Sequence, residues 1–229
     1  MHYVKRGTAP KELEQYQKKS TQKWVDYYKN SIGKKPTDSH WTKDEIRHPL
    51  VQYFEDNCGY CGIGIGTRRS KVDGKALPIG QVDHFRPKSK CPELVYEWDN
   101  LIWSCVNCND VKGNYYAAES LLFDPCNAED MQYLELRQDG KYYLKPAFAV
   151  DSLLRKRYQA TCDNTLINAG ERPRERAARK NELENTLNSL EKYYEILQNK
   201  NCPLEIKESV QKLFQNGQSA LINILQYST

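Results

Sequence analysis

Leu13, Tyr16, Ser20, Trp24 and Tyr27 recur at intervals of three and four residues, the period of one helical face. They predict a first helix that begins near Thr8 or Pro10, since proline suits a first turn. The stretch NSIGKKPTDS, 30–39, concentrates turn formers and breaks that helix. Thr42 and Glu45 stand at capping-box spacing ahead of a second helix carrying Ile46, Leu50 and Phe54. Pro49 must either kink that helix or start it. From Cys58 to about Pro125 the helical period gives way to crowded glycines and short apolar runs. QVDHF and NLIWS read as short strands, and CNDVKGNYYAAESLL as a helix beginning around its cysteine. QYLELRQDGKYYL, 132–144, alternates on either side of Asp139-Gly140, the pattern of a hairpin. Past residue 150 the helical period returns: Leu183, Leu187, Leu190, Tyr194 and Leu197 step by four and three, an a/d seam. Pro203 opens another helix, with Val210, Leu213 and Phe214 on one face. The pattern admits a helical hairpin packed on a core or a surface for a partner.

Composition supports a folded chain. Of 229 residues, 39% are apolar and 28% charged, enough apolar surface for a packed core. The expected class is α+β: an N-terminal helical segment over 1–54, a small core over 55–125, and a hairpin plus C-terminal helical region over 126–229. No apolar run approaches the ~20 residues that span a bilayer. MHYVKRGTAPKELEQ lacks the apolar stretch of a secretory signal, so a cytoplasmic, reducing location with no membrane contact is expected. The net charge of +4 is unevenly placed. Residues 1–50 carry eleven Lys/Arg against six Asp/Glu, 66–90 seven against two, and 150–180 eight against four, whereas 91–125 carry one against six. Basic segments suit a phosphate backbone and the acidic one suits metals; solvated surface charge is the plainer alternative.

Cysteine spacing sharpens this picture. Four of the eight cysteines form two pairs, Cys58-Gly-Tyr-Cys61 and Cys105-Val-Asn-Cys108. Each Cys-x-x-Cys turn aims two thiolates at one point, and two turns supply a tetrahedral Zn2+ site. Cys91, Cys126, Cys162 and Cys202 read as ordinary small residues. Four sulfurs leave no open coordination position, so this zinc is structural rather than catalytic. It holds the base of a 43-residue insertion, 62–104. The insertion contains Asp83, His84, Arg86, Lys88 and Asn100; Asn109 and Lys112 follow the second pair. Imidazole titrates near neutral pH, which makes His84 a candidate base. Asp83 offers a hard oxygen for Mg2+ or a similar ion, and as a strand neighbour it points to the opposite face from His84. Arg86, Lys88 and Lys112 are candidate phosphate contacts. On these roles Cys105→Ser would lower stability and solubility, and His84→Ala would stop the chemistry while leaving the fold nearly unchanged. The chain has no Gly-x-x-x-x-Gly-Lys-Ser/Thr loop, so any ATP use falls to a partner.

CGYCG, VDHFRPKS and EWDNLIWSCVNCNDVKGN, in that order over about residues 55–120, resemble an HNH nuclease of the ββα-metal class. That resemblance implies His84 as general base, Asp83 and Asn109 as ligands of a catalytic Mg2+ or Mn2+, and Asn100 as the asparagine that holds the histidine in place. It implies endonucleolytic hydrolysis that leaves a 5′-phosphate and a 3′-hydroxyl. MHYVKRGTAP, HFRPKSKCPELVYEWDNL and CNDVKGNYY are further similar to the nuclease subunits of Septu-type anti-phage systems, also found beside some retrons. This implies a hetero-oligomer with an ABC-type ATPase subunit and a nucleic acid substrate, DNA first and tRNA as the alternative. The rival reading is a zinc-stapled module that binds nucleic acid or protein and cuts nothing.

Overall fold

The chain folds, in a computed structural model, into a mixed helical and small-sheet arrangement that describes residues 1, 3–69 and 76–226. Two compact units emerge: residues 1–137 with 142–172, and residues 138–141 with 173–229. No helix among the described residues is long and apolar enough to cross a membrane.

In the first unit, α1 spans Lys11–Tyr28 with Pro10 at its N-cap, and it buries Leu13, Ser20 and Trp24. A single 3-10 turn, His40–Thr42, leads into α2, Asp44–Tyr53. The capping box does not form: Lys43 is the N-cap without a side-chain bond, and the Thr42 hydroxyl donates to the Ser39 carbonyl instead. The 3-10 turn takes up Thr42 before α2 begins. Pro49 lies inside α2, where its missing N–H leaves the Glu45 carbonyl without a helical donor. Ile46, Leu50 and Phe54 are fully buried.

The centre is an antiparallel pair followed by a helix. Strand β3 (Gln81–His84) pairs with β4 (Leu101–Ser104), setting Asp83 opposite Ile102 and His84 opposite Leu101. Helix α3 (Val106–Lys112) follows at once, with Cys105 as N-cap. It is shorter than its sequence suggests. Gly113, at φ +49, ends it, a conformation glycine adopts without steric cost, and only a 3-10 turn at Ala118–Ser120 follows before Pro125. A second pair, β1 (Thr67–Arg69) and β2 (Ala76–Pro78), lies inside the insertion. Leu101, Ile102 and Trp103 of β4 are fully buried and share one core with Trp24, Ile46, Leu50 and Phe54. A Cβ on Gly59 would lie 2.7 Å from Phe54 Cε1 and 2.8 Å from Ile102 Cγ2, so the first cysteine turn needs glycine for α2 to approach β4. Arg6 clamps the region: its Nη1 donates to the Trp98 and Leu101 carbonyls at 2.6 and 2.5 Å. Helix α4 (Ala128–Gln132), the hairpin strands β5 (Leu134–Leu136) and β6 (Tyr142–Leu144), and α5 (Ser152–Asn164) follow. Gly140 takes φ +73 in the hairpin turn, as the Asp-Gly signal requires.

The second unit is built on α6 (Arg172–Gln198), whose first residue belongs to the first unit, and α7 (Leu204–Gln226). Pro203 precedes α7 as expected. Leu190 and Val210 are buried between the two helices, and the Tyr194 and Phe214 rings lie 6.5 Å apart. A Cβ on Gly217 would meet Leu190 Cδ2 at 2.9 Å. The helices therefore pack on each other as an antiparallel hairpin, which buries Leu190 of the seam. Leu187, Tyr194 and Leu213 remain exposed.

Candidate nuclease site

The two cysteine turns meet. The four sulfurs of Cys58, Cys61, Cys105 and Cys108 all lie within 4.8 Å of one another. Tetrahedral zinc with Zn–S near ~2.3 Å sets its sulfurs roughly 3.8 Å apart, so the cluster fits zinc with small movement. The backbone prepares it: Gly62 N–H donates to the Cys58 carbonyl at 2.7 Å, and Cys108 N–H points at Cys105 Sγ, 3.4 Å away. Hydrogen bonds from Cys108, Cys58 and Cys61 hold the Cys105 sulfur well below the ordinary thiol range, while the same contacts and burial push Cys108 above it. Arg172 Nη2 adds a donor 3.9 Å from Cys105 Sγ. Zinc at this point would tie the start of the insertion to the N-terminus of α3.

Strand β3 then sends Asp83 and His84 to opposite faces. Asp83 turns toward the first cysteine turn and α3. The Tyr60 hydroxyl donates to its Oδ2 at 2.6 Å, and Lys112 Nζ lies 2.8 Å from the same oxygen. Burial, together with the negative charge of Asp83, raises the Tyr60 hydroxyl well above its usual range, so it stays a donor. Both contacts fall on Oδ2; Oδ1 has no protein partner among the described residues. Gln81 and Asp83 share a strand face, and Asn109 and Lys112 share a helix face. The two faces meet: Asn109 Nδ2 donates to Gln81 Oε1, and Lys112 reaches Asp83. The Asn109 amide nitrogen is thereby engaged while its oxygen stays available. A carboxylate oxygen and an amide oxygen on one side form a hard donor pair, suited to an ion that keeps several of its waters.

His84 faces the other way and is only 4% exposed. Its Nε2 lies 2.9 Å from the Val95 carbonyl, which accepts only if Nε2 carries the proton. The lone pair is then on Nδ1. Burial, reinforced by the charge of Lys88, lowers the imidazole to about 3, so it is neutral at physiological pH. Asn100 acts on the loop that carries this carbonyl rather than on the ring. Its Oδ1 accepts from Arg86 N–H at 2.8 Å, and its Nδ2 donates to the Arg86 and Leu94 carbonyls at 3.0 Å. Trp41 packs edge-to-face on the imidazole, ring centroids 4.7 Å apart at 82°.

The three candidate phosphate cations separate. Lys88 sits beside His84, half-buried, with no salt bridge among the described residues. Arg86 is exposed and lines a cavity of about 570 Å³ with Asp124, Lys156 and Arg157, whose lining includes none of Asp83, His84, Lys88 and Asn109. Lys112 is corrected. It is 2% exposed, donates to the His84 carbonyl at 2.8 Å, and pairs with Asp83, so it has no surface to offer a phosphate and instead locks α3 onto β3. Removing one member of a buried pair strands the other charge. Lys112→Met is therefore expected to cost about 3–5 kcal/mol in urea unfolding, and Lys112→Met with Asp83→Asn less than Lys112→Met alone. Equal costs for the single and double variants would refute the pairing. Tyr60, Trp41 and the Val95 carbonyl are site components that sequence reasoning missed. Only the aromatic at the third position of CGYC, Tyr60, offered a signal.

Residues 58–115 match the family described as HNH endonuclease; the match spans both cysteine turns, β3, β4 and α3. The chain is also similar to two proteins named Septu protein PtuB. One, from Bacillus thuringiensis, is 28% identical over 125 residues, covering 55% of this chain and 42% of that protein. The other, from Bacillus mycoides (strain KBAB4), is 26% identical over 129 residues, 43% of this chain and 41% of that protein. The chain spans about two fifths of the length of these curated relatives.

Proposed function

We propose that this chain is a metal-dependent HNH endonuclease that hydrolyses DNA as the effector of a Septu-type anti-phage complex with an ABC-type ATPase subunit in the cytoplasm. The observation that carries the reading is the pairing of a neutral, tautomerically fixed His84 with Asp83 on the opposite face of one strand, inside an HNH match. Val95 holds the imidazole so that Nδ1 takes a proton from an attacking water. Asn100 keeps the Val95 loop in register with β4. Lys88 draws the phosphate toward the base. Tyr60 and Lys112 fix the Asp83 carboxylate through Oδ2, which leaves Oδ1 with Asn109 Oδ1 to hold a divalent ion. Mg2+ or Mn2+ bound there would supply positive charge to the phosphate and the departing oxygen. The similarity to proteins named Septu protein PtuB supports the defence setting.

The test is cleavage of plasmid DNA, and of tRNA as the second substrate, by the purified chain alone and with the ATPase, in Mg2+ or Mn2+. Metal-dependent cutting of DNA to ends with a 5′-phosphate is expected. Cutting of tRNA alone would move the substrate to RNA. Stable binding of both with no cutting under any combination would replace the nuclease with a zinc-stapled binding module.

A further inference from the structure

We propose that Trp41 is a positioning residue of the site, a wall contributed from outside the HNH-matched region that orients His84 and Lys88 together. The inference rests on the nuclease reading of His84.

The matched region begins at Cys58 and supplies the Val95 carbonyl as the imidazole's hydrogen-bond partner. One hydrogen bond fixes a point but leaves the ring free to rock about it. The edge-to-face contact with Trp41, 4.7 Å between centroids, restrains the plane, and this geometry is the favourable one for aromatic pairs. The same indole lies 5.4 Å from Lys88 Nζ, within cation–π range. The ammonium makes no salt bridge among the described residues; that contact holds it together with the attraction of the Asp83 charge, which opposes the burial that lowers it. A single side chain thus sets the spacing between the candidate base and the cation beside it.

Trp41 is itself held tightly, as a wall must be. It is 7% exposed and packs on Trp24 and Tyr96, centroids 5.5 and 5.7 Å away. Its neighbour His40 stacks on Tyr16 at 4.2 Å. Asp38 is gripped by Ser20 and Lys23, and its carbonyl accepts from the Tyr96 hydroxyl. The segment between α1 and α2 is therefore anchored at several independent points around the indole, and the N-terminal helices become part of the site's geometry.

The experiment compares Trp41→Leu and Trp41→Phe with wild type, normalising rates to the folded fraction from circular dichroism. Trp41→Leu is expected to lower kcat on the order of 10–100-fold, the scale of a misplaced catalytic group, and Trp41→Phe to recover most of it. Lys88→Met should raise KM in wild type and have a smaller effect in the Trp41→Leu background. A second readout needs no cleavage: nitrogen-15 spectra should show a slowly exchanging His84 Nε2 proton and through-space contacts from the His84 ring to the Trp41 indole. If wild type fails to cut, the nuclease reading falls, while the spectra still judge the positioning. Unchanged normalised kcat in Trp41→Leu, equal losses in Leu and Phe, or, should Leu not fold, wild-type spectra without the indole contacts would each overturn the proposal.

Discussion

His84→Gln is expected to cut nucleic acid on the order of 10²–10⁴ times more slowly than wild type, the range lost with a general base, while its melting temperature moves by only a few degrees. Glutamine is the informative replacement because of what the imidazole does in the structure. Its Nε2 donates to the Val95 carbonyl, and a glutamine amide can do the same, but it has no basic lone pair to replace Nδ1. Alanine confuses two effects. It strands the Val95 carbonyl at a cost of about 1–3 kcal/mol and opens a void against Trp41. The sequence-based expectation that His84→Ala spares the fold therefore fails on burial. A pH signature follows. An imidazole titrating near 6.5 in the unfolded chain and at about 3 in the folded one means that the unfolded state binds more protons between those values. Stability is then full above about 6.5 and falls as pH drops toward 3, by at most about 1.4 kcal/mol per unit. Thermal melts of wild type and His84→Gln from pH 7 to 4 isolate this contribution, since protonation of the cysteine cluster is common to both. Parallel slopes would place the imidazole in water.

Much of this arrangement could be read along the chain, and what escaped has physical reasons. The two Cys-x-x-Cys turns were legible because ligand spacing is local geometry. QVDHF and NLIWS were legible as strands from their short apolar runs between turn formers, and Asp139-Gly140 from its turn chemistry. Lys112 was not, because a lysine in a short polar helix is read as solvent-exposed by default. Only the meeting of α3 and β3 shows that it is enclosed by Asp83, Tyr60 and a carbonyl. Trp41 escaped for the same reason: thirteen residues after the end of α1 and seventeen before the first cysteine turn, its place beside His84 is set by tertiary packing. The Val95 carbonyl has no residue-type signature at all, since any amino acid offers one. The early end of α3 turned on one backbone angle, at Gly113, where the sequence also permits helix.

Loss of zinc is expected to be the most damaging single change to the fold. Apparent zinc affinities in small Cys-ligated domains correspond to about 10–16 kcal/mol, whereas whole domains are stable by about 5–15 kcal/mol. The metal's contribution therefore equals or exceeds the margin. The cluster leaves little compensation: Cys58 and Cys108 are fully buried, and four thiols within 4.8 Å without a cation crowd one another. Cys58→Ser, Cys105→Ser, or a strong zinc chelator should release one zinc per chain and unfold β3, β4 and α3 together, because the insertion loses the tie at its base. Elemental analysis with circular dichroism and melting before and after chelation checks this. The same treatment separates the two metals. Mild chelation that strips only the weaker oxygen-bound ion should stop cutting without moving the melting temperature, and added Mg2+ should restore it. Stripping zinc should lower the melting temperature, and Mg2+ should not rescue it. A chain that keeps its melting temperature after losing zinc would remove the structural role of the cluster, and with it the reason that Asp83, His84 and Asn109 come together.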